Sequence, residues 1–286
     1  MVNDLKVKHI NGVGRVLAFL TKYLFMLLLV AVSVAPLVWV FMSSFKTQFE
    51  IMSSPLKLPV VIRFAPYARA IKIAPILQFY KNSIIVAVST TVITVVIVSM
   101  AAFVVSKYDF KGKKLIVLMF ASCLLVPGIA LSQPVFRLMN ILHIYNSLAA
   151  LILVHTAFGL PVTFFILHSY FQTIPKELNE SAYMDGAGLP RIYWQINMPI
   201  AKPGLATSAV LQFLLAWNEF YFSLILTSSN KCRTLPLSLN YFLAQFTADY
   251  PAMFAAVLMV ITPTIILFII MQEQIISSLT AGAVKG

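Results

Sequence analysis

The chain has 286 residues, of which 60% are hydrophobic and 10% are charged, and its formal net charge is +12. A soluble domain carries about 25% charged residues to cover its surface, so this composition excludes a soluble globule and indicates an integral membrane protein. The excess of Lys and Arg does not indicate nucleic-acid binding, because the basic residues flank apolar runs and form no stripe interleaved with aromatic residues.

Six apolar runs are long enough to cross a bilayer as helices of about twenty residues. The second run is rich in Val, Ile and Thr, but its length favours a helix, since only helices and closed barrels satisfy their backbone in lipid. The third run contains Pro127 and Gly128, which a spanning helix tolerates when neighbouring helices satisfy the freed carbonyls. The sequence therefore predicts an all-α membrane protein with six transmembrane helices, at about 23–42, 83–106, 115–136, 147–171, 204–227 and 251–271.

The distribution of lysines in the short loops predicts the orientation. KYDFKGKK, at Lys107–Lys114, follows the second run and carries four lysines, whereas the next loop offers only Arg137. Cytoplasmic loops carry an excess of Lys and Arg, so KYDFKGKK and both ends of the chain are expected in the cytoplasm. The other predicted regions are the cytoplasmic N-terminus 1–22, the outer loops 43–82 and 228–250, the cytoplasmic loop 172–203 and the cytoplasmic tail 272–286.

The cytoplasmic loop contains the unusually polar segment ELNESAYMDGAGLPRIYWQINMP, Glu177–Pro199, with three of the nine acidic residues of the chain. Acidic residues are favoured in the first turn of a helix, so a helix is predicted from Glu177 to about Asp185. Gly186 and Gly188 are expected to end or bend it, since glycine accepts backbone angles that other residues resist. A second short helix follows, and the segment is predicted to form a compact helix–turn–helix unit at the membrane face.

The same segment resembles the EAA loop of ABC-importer permeases. The pattern of that loop is E-A-A, three residues, G, nine residues, I, any residue, then L-P. Glu180-Ser181-Ala182 stands for E-A-A, Asp185-Gly186-Ala187 for the following D-G-A, and Ile196–Pro199 for the end of the pattern. Ser181 and Met198 depart from it, but serine is small and methionine is close to leucine in volume.

Further stretches resemble the carbohydrate-uptake branch of these permeases, of the maltose-permease G-subunit type. They are FYKNSIIVAV, KYDFKGKK, AWNEF, TLPLSLNYF and the terminal AGAVKG, in the order expected for that branch. The resemblance covers nearly the whole chain and implies the type I ABC importer permease fold. It also implies a multi-pass protein of the bacterial cytoplasmic, or inner, membrane.

The resemblance implies a subunit that is not an enzyme and has no catalytic residues, metal site or cofactor of its own. Its implied partners are a second homologous permease, two copies of a cytoplasmic ATPase that bind ATP and Mg, and an extracytoplasmic solute-binding protein that delivers a carbohydrate. The loop would couple the ATPase to the transmembrane helices. By resemblance, its coupling residues are Glu177, Glu180, Ser181, Ala182, Asp185, Gly186, Ala187, Gly188 and Pro199.

Glu219 is an acidic residue inside the fifth apolar run. Ionisable groups within a membrane are costly and usually functional, so Glu219 is expected to line the transport pathway together with Trp217 and Asn218. The alternative is that Glu219 pairs with Asn218 or with a neighbouring helix.

Other functional classes fit the sequence less well. There is no Gly-rich phosphate loop ending in GK[ST], and no nucleophile, base or metal set typical of a membrane-embedded enzyme. An ion-coupled secondary carrier usually has repeated halves and charged groups at mid-membrane. An ABC importer of a non-sugar solute remains an alternative. The basic outer loop is compatible with an acidic oligosaccharide, since basic patches concentrate anions, but the sequence selects no particular sugar.

Overall fold

The computed structural model describes residues 12–243 and 249–283, and every regular element within these ranges is helical. The all-α prediction is therefore confirmed. A 3-10 turn at Gly128–Leu131, a π-helical turn at Ile192–Asn197 and a 3-10 turn at Leu235–Leu239 connect α-helices. The α-helices are α1 (Gly12–Ser43), α2 (Gln48–Ser53), α3 (Ala65–Ile73), α4 (Ile76–Lys107), α5 (Lys113–Leu125), α6 (Ser132–Ile141), α7 (Leu148–Thr173), α8 (Glu177–Met184), α9 (Leu189–Arg191), α10 (Met198–Ile200), α11 (Lys202–Trp217), α12 (Tyr221–Leu226), α13 (Asn240–Leu243) and α14 (Tyr250–Ala283).

Four of these helices, α1, α4, α7 and α14, are long and apolar enough to cross a membrane, and two bent pairs bring the total to as many as six. One bent pair joins α5 to the segment Gly128–Ile141 at 94°, and the other joins Leu189–Ile200 to α11 at 77°. The membrane boundaries and the orientation of the ends stay predictions.

The third and fifth predicted spans are not continuous helices. Helix α5 ends because Val126 precedes Pro127 and is extended, with φ −87° and ψ 118°. The ring of a proline disfavours helical angles in the residue before it. In the fifth run, α11 ends at Trp217 and α12 begins at Tyr221. The expectation of one uninterrupted helix is wrong for both runs.

Elsewhere the helices extend beyond the predicted spans. Helix α1 already begins within the predicted N-terminal region 1–22, and α14 continues through most of the predicted tail 272–286. Residues 1–11 and 284–286, and residues 244–248 of the predicted outer loop 228–250, lie outside the described ranges.

Helix α4 lies at the centre of the fold and packs most extensively against α7 and then α11. Buried side chains form three clusters along it. One surrounds Trp217, whose indole Nε1 donates to the Val260 carbonyl at 3.1 Å. A second lies around Phe103 at the opposite end of α4, and a third lies around Val86, at the same level of α4 as the first. This arrangement places α7 and α11 side by side against one helix, and those two helices carry the polar groups described below.

Helix α1 is apolar on all sides, and the most apolar window of Val16–Ser43 has no residue buried within the chain. It packs mainly against α14. An apolar surface of this kind is stable only when lipid or another protein covers it, so α1 belongs on the periphery of the subunit.

Two ion pairs engage the arginines of the region between α1 and α4. Arg69 donates from Nε to Asp249 Oδ2 at 2.6 Å and from Nη2 to Oδ1 at 3.2 Å, which joins α3 to the start of α14. Arg63 lies 3.3 Å from Glu50. Hydrogen bonds from the backbone and side chain of Thr47, opposed by desolvation, lower the pKa of Glu50. Two of the arginines in the predicted outer loop are therefore neutralised within the chain.

The contact between α7 and α11 makes a specific prediction. A Cβ added at Gly204 would lie 2.6 Å from Cγ of Tyr170, so Gly204→Leu forces the two helices apart. Overpacking costs about 1–3 kcal/mol, and each kcal/mol shifts the unfolding midpoint by roughly 2–4 °C in a chain of 150–250 residues. We expect a midpoint several degrees lower, measured by intrinsic fluorescence in detergent.

The matched control is Gly128→Ala, because a Cβ there meets nothing closer than Phe158 Cε1 at 3.6 Å. Unchanged unfolding of the Gly204→Leu protein would show that the two helices are not held in this close contact.

Candidate functional site

The segment that resembles the EAA loop begins with helix α8. Glu177 and Glu180 lie exposed in its first turn, where the helix dipole favours negative charge. The helix ends at Met184, and Gly186, two residues further on, has a φ of +80°. The Gly186 N–H donates to the Tyr183 carbonyl at 3.0 Å and the Ala187 N–H to the Ala182 carbonyl at 2.9 Å. This is the Schellman pattern, which requires a left-handed residue where Gly186 stands, so the predicted glycine turn is confirmed.

A second arm, Leu189–Ile200, runs back from the turn towards α11, and its middle is the π-helical stretch. A buried amide pair joins the two arms. Asn197 donates to Oδ1 of Asn179 at 2.7 Å and to the Ile192 carbonyl at 3.1 Å. The predicted helix–turn–helix unit is confirmed, and we call residues 177–200 the coupling unit.

Two buried contacts and one exposed contact attach the coupling unit, and the residue Ile174 just before it, to the end of α4. The Tyr193 and Ser99 hydroxyls lie 2.7 Å apart, and the Tyr193 ring centroid is 5.3 Å from that of Phe103. The Lys107 ammonium at the end of α4 donates to the Ile174 carbonyl, just before α8. A hydroxyl contact of 3.0 Å between Tyr108 and Tyr183 adds a third tie. The unit is therefore held against the spanning helices and does not hang from its chain ends alone.

The predicted coupling residues divide into two groups. Glu177, Glu180, Ser181, Asp185, Gly186, Gly188 and Pro199 are exposed. Their carboxylates form no ion pair with any residue in the described ranges. Ala182 and Ala187 are instead buried, each 8% exposed, in the cluster around Phe103. Their small size lets the unit pack against its own chain, so they are not available as surface contacts.

Sequence reasoning missed Asn179, Tyr193 and Asn197 as a group that fixes the coupling unit. Tyr193 is buried, but nothing in the local pattern identifies Ser99 as its partner. The spacing between Asn179 and Asn197 likewise carries no signal, since the pairing depends on how the second arm folds back.

The break between α11 and α12 is organised by Glu219. Its carboxylate accepts the N–H groups of Phe222 at 2.6 Å and Ser223 at 3.0 Å, and so caps α12. Oε2 lies 3.7 Å from Nε2 of His155 on α7. Asn218 does not pair with Glu219, because its side chain donates to the Leu214 carbonyl. The group that Glu219 approaches on a neighbouring helix is therefore His155 of α7.

The three residues expected to line the pathway differ in their positions relative to the cavity between α7 and α11. Trp217 is 1% exposed and packs in the core, with its ring 5.6 Å from that of Phe213, and Asn218 is exposed outside the cavity. Glu219 lines a cavity of about 380 Å³ between α7, α11 and the two helix breaks. Other lining residues are Gly128, Phe158, Gly159, Gln212 and Phe222.

Residues 10–274 match the family described as binding-protein-dependent transport system inner membrane components. The chain belongs to this family. The resemblance to ABC-importer permeases that the EAA-like segment indicated is confirmed, because the family consists of membrane components of such transport systems.

Several named relatives are about one third identical to the chain. The diacetylchitobiose uptake system permease protein NgcG of Streptomyces coelicolor is 34% identical, over 88% of this chain and 84% of the relative. The sulfoquinovosyl glycerol transport system permease protein SmoH of Agrobacterium fabrum is 33% identical, over 88% of each. The trehalose/maltose transport system permease protein MalG of Thermococcus litoralis is 34% identical, over 91% and 94%.

A solved structure shares the fold. It is a chain from a bacterial ABC transporter involved in the import of the acidic polysaccharide alginate. The TM-score is 0.80 at 21% identity, covering 91% of this chain and 96% of the other. The predicted type I ABC importer permease fold is therefore confirmed.

The amide pair that closes the coupling unit is testable. Asn197→Leu leaves the buried Asn179 side chain without its partner, and an unsatisfied buried polar group costs about 1–3 kcal/mol. We expect faster trypsin cleavage after Lys176 in detergent, because the two arms separate more often. The control is Gln195→Leu, which changes an exposed amide on the same arm. Equal cleavage rates for the two variants would contradict the role assigned to Asn197.

Proposed function

We propose that the chain is the transmembrane permease subunit of an ATP-driven importer that takes up a carbohydrate delivered by a solute-binding protein. The observation that carries the proposal is the coupling unit: an exposed acidic helix and glycine turn, held rigidly against α4, in a chain of this family. The names of three relatives support a sugar as the solute, since they refer to diacetylchitobiose, sulfoquinovosyl glycerol and trehalose/maltose.

The proposed assembly contains this subunit, a second homologous permease and two copies of a cytoplasmic ATPase in the bacterial inner membrane. ATP and Mg bind to the ATPase subunits. The uncovered apolar surface of α1 supports a place among lipid and partner helices. The solute-binding protein docks on the outer side, where the pair of Arg69 and Asp249 joins α3 to the start of α14.

Coupling follows from the geometry of the unit. Glu180 and Asp185 are exposed on and just after α8, and we propose that they pair with basic residues of an ATPase groove. Charge-assisted hydrogen bonds of this kind are about twice as strong as neutral ones. A displacement of α8 passes to α4 through Tyr193 and Ser99, and through Lys107 and Ile174. A loosely tethered loop would not transmit it.

The alternatives find less support. An ion-coupled carrier would use a titratable group that is free to bind and release its ion, but the Glu219 carboxylate is occupied by two backbone N–H groups. Pairing of Arg63 and Arg69 within the chain leaves fewer free cations in the outer loop for an acidic substrate. An importer of a non-sugar solute differs only in the substrate, which the next experiment determines.

The proposed function is tested by purifying the tagged chain from its native membrane in mild detergent. We expect co-purification of a second permease and an ATPase, and ATP hydrolysis that rises when a sugar-loaded binding protein is added to the complex in vesicles. A chain that purifies alone and moves solute down an ion gradient would overturn the proposal.

Coupling is tested with two glycines of matched conformation. Gly186 has φ +80° and Gly112 has φ +94°, and a Cβ would meet nothing within 4 Å at either position. Valine therefore introduces a similar backbone strain at both, of about 1–2 kcal/mol or more. We expect Gly186→Val to lower sugar uptake and binding-protein-stimulated ATP hydrolysis by about tenfold, the effect of roughly 1.4 kcal/mol, because α8 is no longer presented correctly.

Gly112→Val, in the neighbouring KYDFKGKK loop, should retain most of both activities. If the two variants lose activity equally, the loss reflects strain in general, and the coupling role of the Gly186 turn is disproved.

A further inference from the structure

The chain that leaves α1 doubles back along the side of that helix. The indole Nε1 of Trp39 donates to the Pro55 carbonyl at 2.9 Å, and the buried Lys46 ammonium donates to the same oxygen at 2.8 Å. Trp39 lies four residues before the end of α1, which is about 6 Å along a helix. Pro55 is therefore held beside the last turn of a helix that is apolar enough to cross a membrane, and not beyond its end.

Leu56 continues the contact with the side of α1. It borders a shallow groove that runs along the helix past Val34, Val38 and Met42, and every residue that lines this groove is apolar. Val34 and Val38 are themselves exposed. The apolar surface that starts at Leu56 is therefore continuous with the apolar surface of α1.

The segment that starts at Pro55 is attached at a second point. The Arg63 N–H donates to the Phe45 carbonyl at 3.3 Å. Between the two attachments runs LKLPVVI, residues 56–62. Its large apolar side chains are all more than half exposed, and they are Leu56, Leu58, Val60, Val61 and Ile62. A contiguous apolar surface of this kind indicates contact with lipid or protein rather than with water.

Aromatic rings at the end of α1 indicate the level of the membrane surface. The ring centroid of Phe45 lies 5.5 Å from that of Phe64 and 5.6 Å from that of Tyr67, and Trp39 lies at the same end of α1. Trp and Tyr are enriched where a bilayer meets water. Residues 54–64 form no helix or strand, and irregular backbone is not tolerated where it faces the hydrocarbon core. The depth of the lipid headgroups satisfies both observations.

We propose that residues 55–64 form a surface anchor, which inserts its apolar side chains among the lipid headgroups at the end of α1. The exposed Lys57 forms no ion pair with any described residue, and its long stem lets the charge stay at the headgroups while its neighbours insert.

The position of the anchor favours lipid over a soluble partner. A solute-binding protein approaches from water, whereas Pro55 and Leu56 lie back along the side of α1. The anchor also has a structural consequence, because α1 packs mainly against α14 and otherwise has few contacts within the chain. This inference goes beyond the proposed function and does not depend on which solute is transported.

The first test measures the depth of the anchor with a fluorescent probe. Cys123 and Cys232 are replaced with serine, and Val60→Cys is labelled with a nitrobenzoxadiazole dye. The complete complex, without the binding protein, is reconstituted in vesicles of phosphatidylethanolamine and phosphatidylglycerol. We expect strong quenching by lipids that carry a nitroxide near the headgroup, and little quenching by iodide present on both sides of the membrane.

The control probe is placed at Lys72→Cys, an exposed position of α3 in the same predicted outer loop, where iodide should quench strongly. Equal iodide quenching at both positions would show that residues 55–64 lie in water. Protection of the Val60 probe from both kinds of quencher would show that a protein, such as the second permease, covers the segment. Either result would overturn the anchor.

The second test places a carboxylate in the anchor, as Val60→Glu. Desolvation of a charge and the anionic headgroups both oppose its insertion. We expect trypsin to cleave after Lys57 about tenfold faster than in wild type in the same vesicles, a change equivalent to roughly 1.4 kcal/mol. Ala68→Glu adds the same charge at an exposed position of α3 and should keep the wild-type rate. Equal cleavage rates for all three proteins would contradict the anchor.

Discussion

The contact between Tyr193 and helix α4 is the constraint on which the rest of the structure depends. Its hydroxyl bonds Ser99, its ring packs near Phe103, and both partners lie on the helix around which the fold is built. A single buried hydrogen bond contributes only about 0.5–1.5 kcal/mol net. Together with burial of the ring, it places the second arm of the coupling unit directly against α4. The first arm, α8, is then positioned by the bond between Asn197 and Asn179.

The same framework connects the cytoplasmic surface to the cavity. Helix α4 packs against α7 and α11, and these two helices carry His155 and Gln212. A displacement imposed on α8 would therefore pass through α4 to α7 and α11, the helices that border the cavity. Close-packed protein interiors transmit strain rather than absorb it. Glu219 fits this scheme, since it closes the broken end of α11 and also forms part of the cavity wall.

The parts of the fold and of the site that could be predicted from the sequence are those set by neighbouring residues in the chain. The helix–turn–helix unit and its glycine turn could be predicted, because their signals are local. The acidic residues of the first turn, Gly186 and Pro199 each affect the backbone only within a few residues of themselves. The breaks were harder to locate, because Pro127 is compatible with a continuous span and AWNEF contains no helix-breaking residue near Asn218. The burial of Ala182 and Trp217 could not be predicted, since helix periodicity does not reveal which face meets the rest of the chain. The cavity joins residues far apart in sequence, and its polar groups are visible only after folding.

Rigid attachment of the coupling unit is the central claim, and a distance measurement tests it most directly. Cys123 and Cys232 would first be replaced with serine. One spin label would be placed at Met184, which is 88% exposed on α8, and the other at the exposed Lys111, beyond the end of α4. Electron-spin distance distributions would be recorded for the assembled complex without nucleotide and with ATP trapped. The account predicts one narrow distance that is the same in both states. A distance that shifts or broadens when ATP binds would show that the unit moves independently of α4 and would contradict the account.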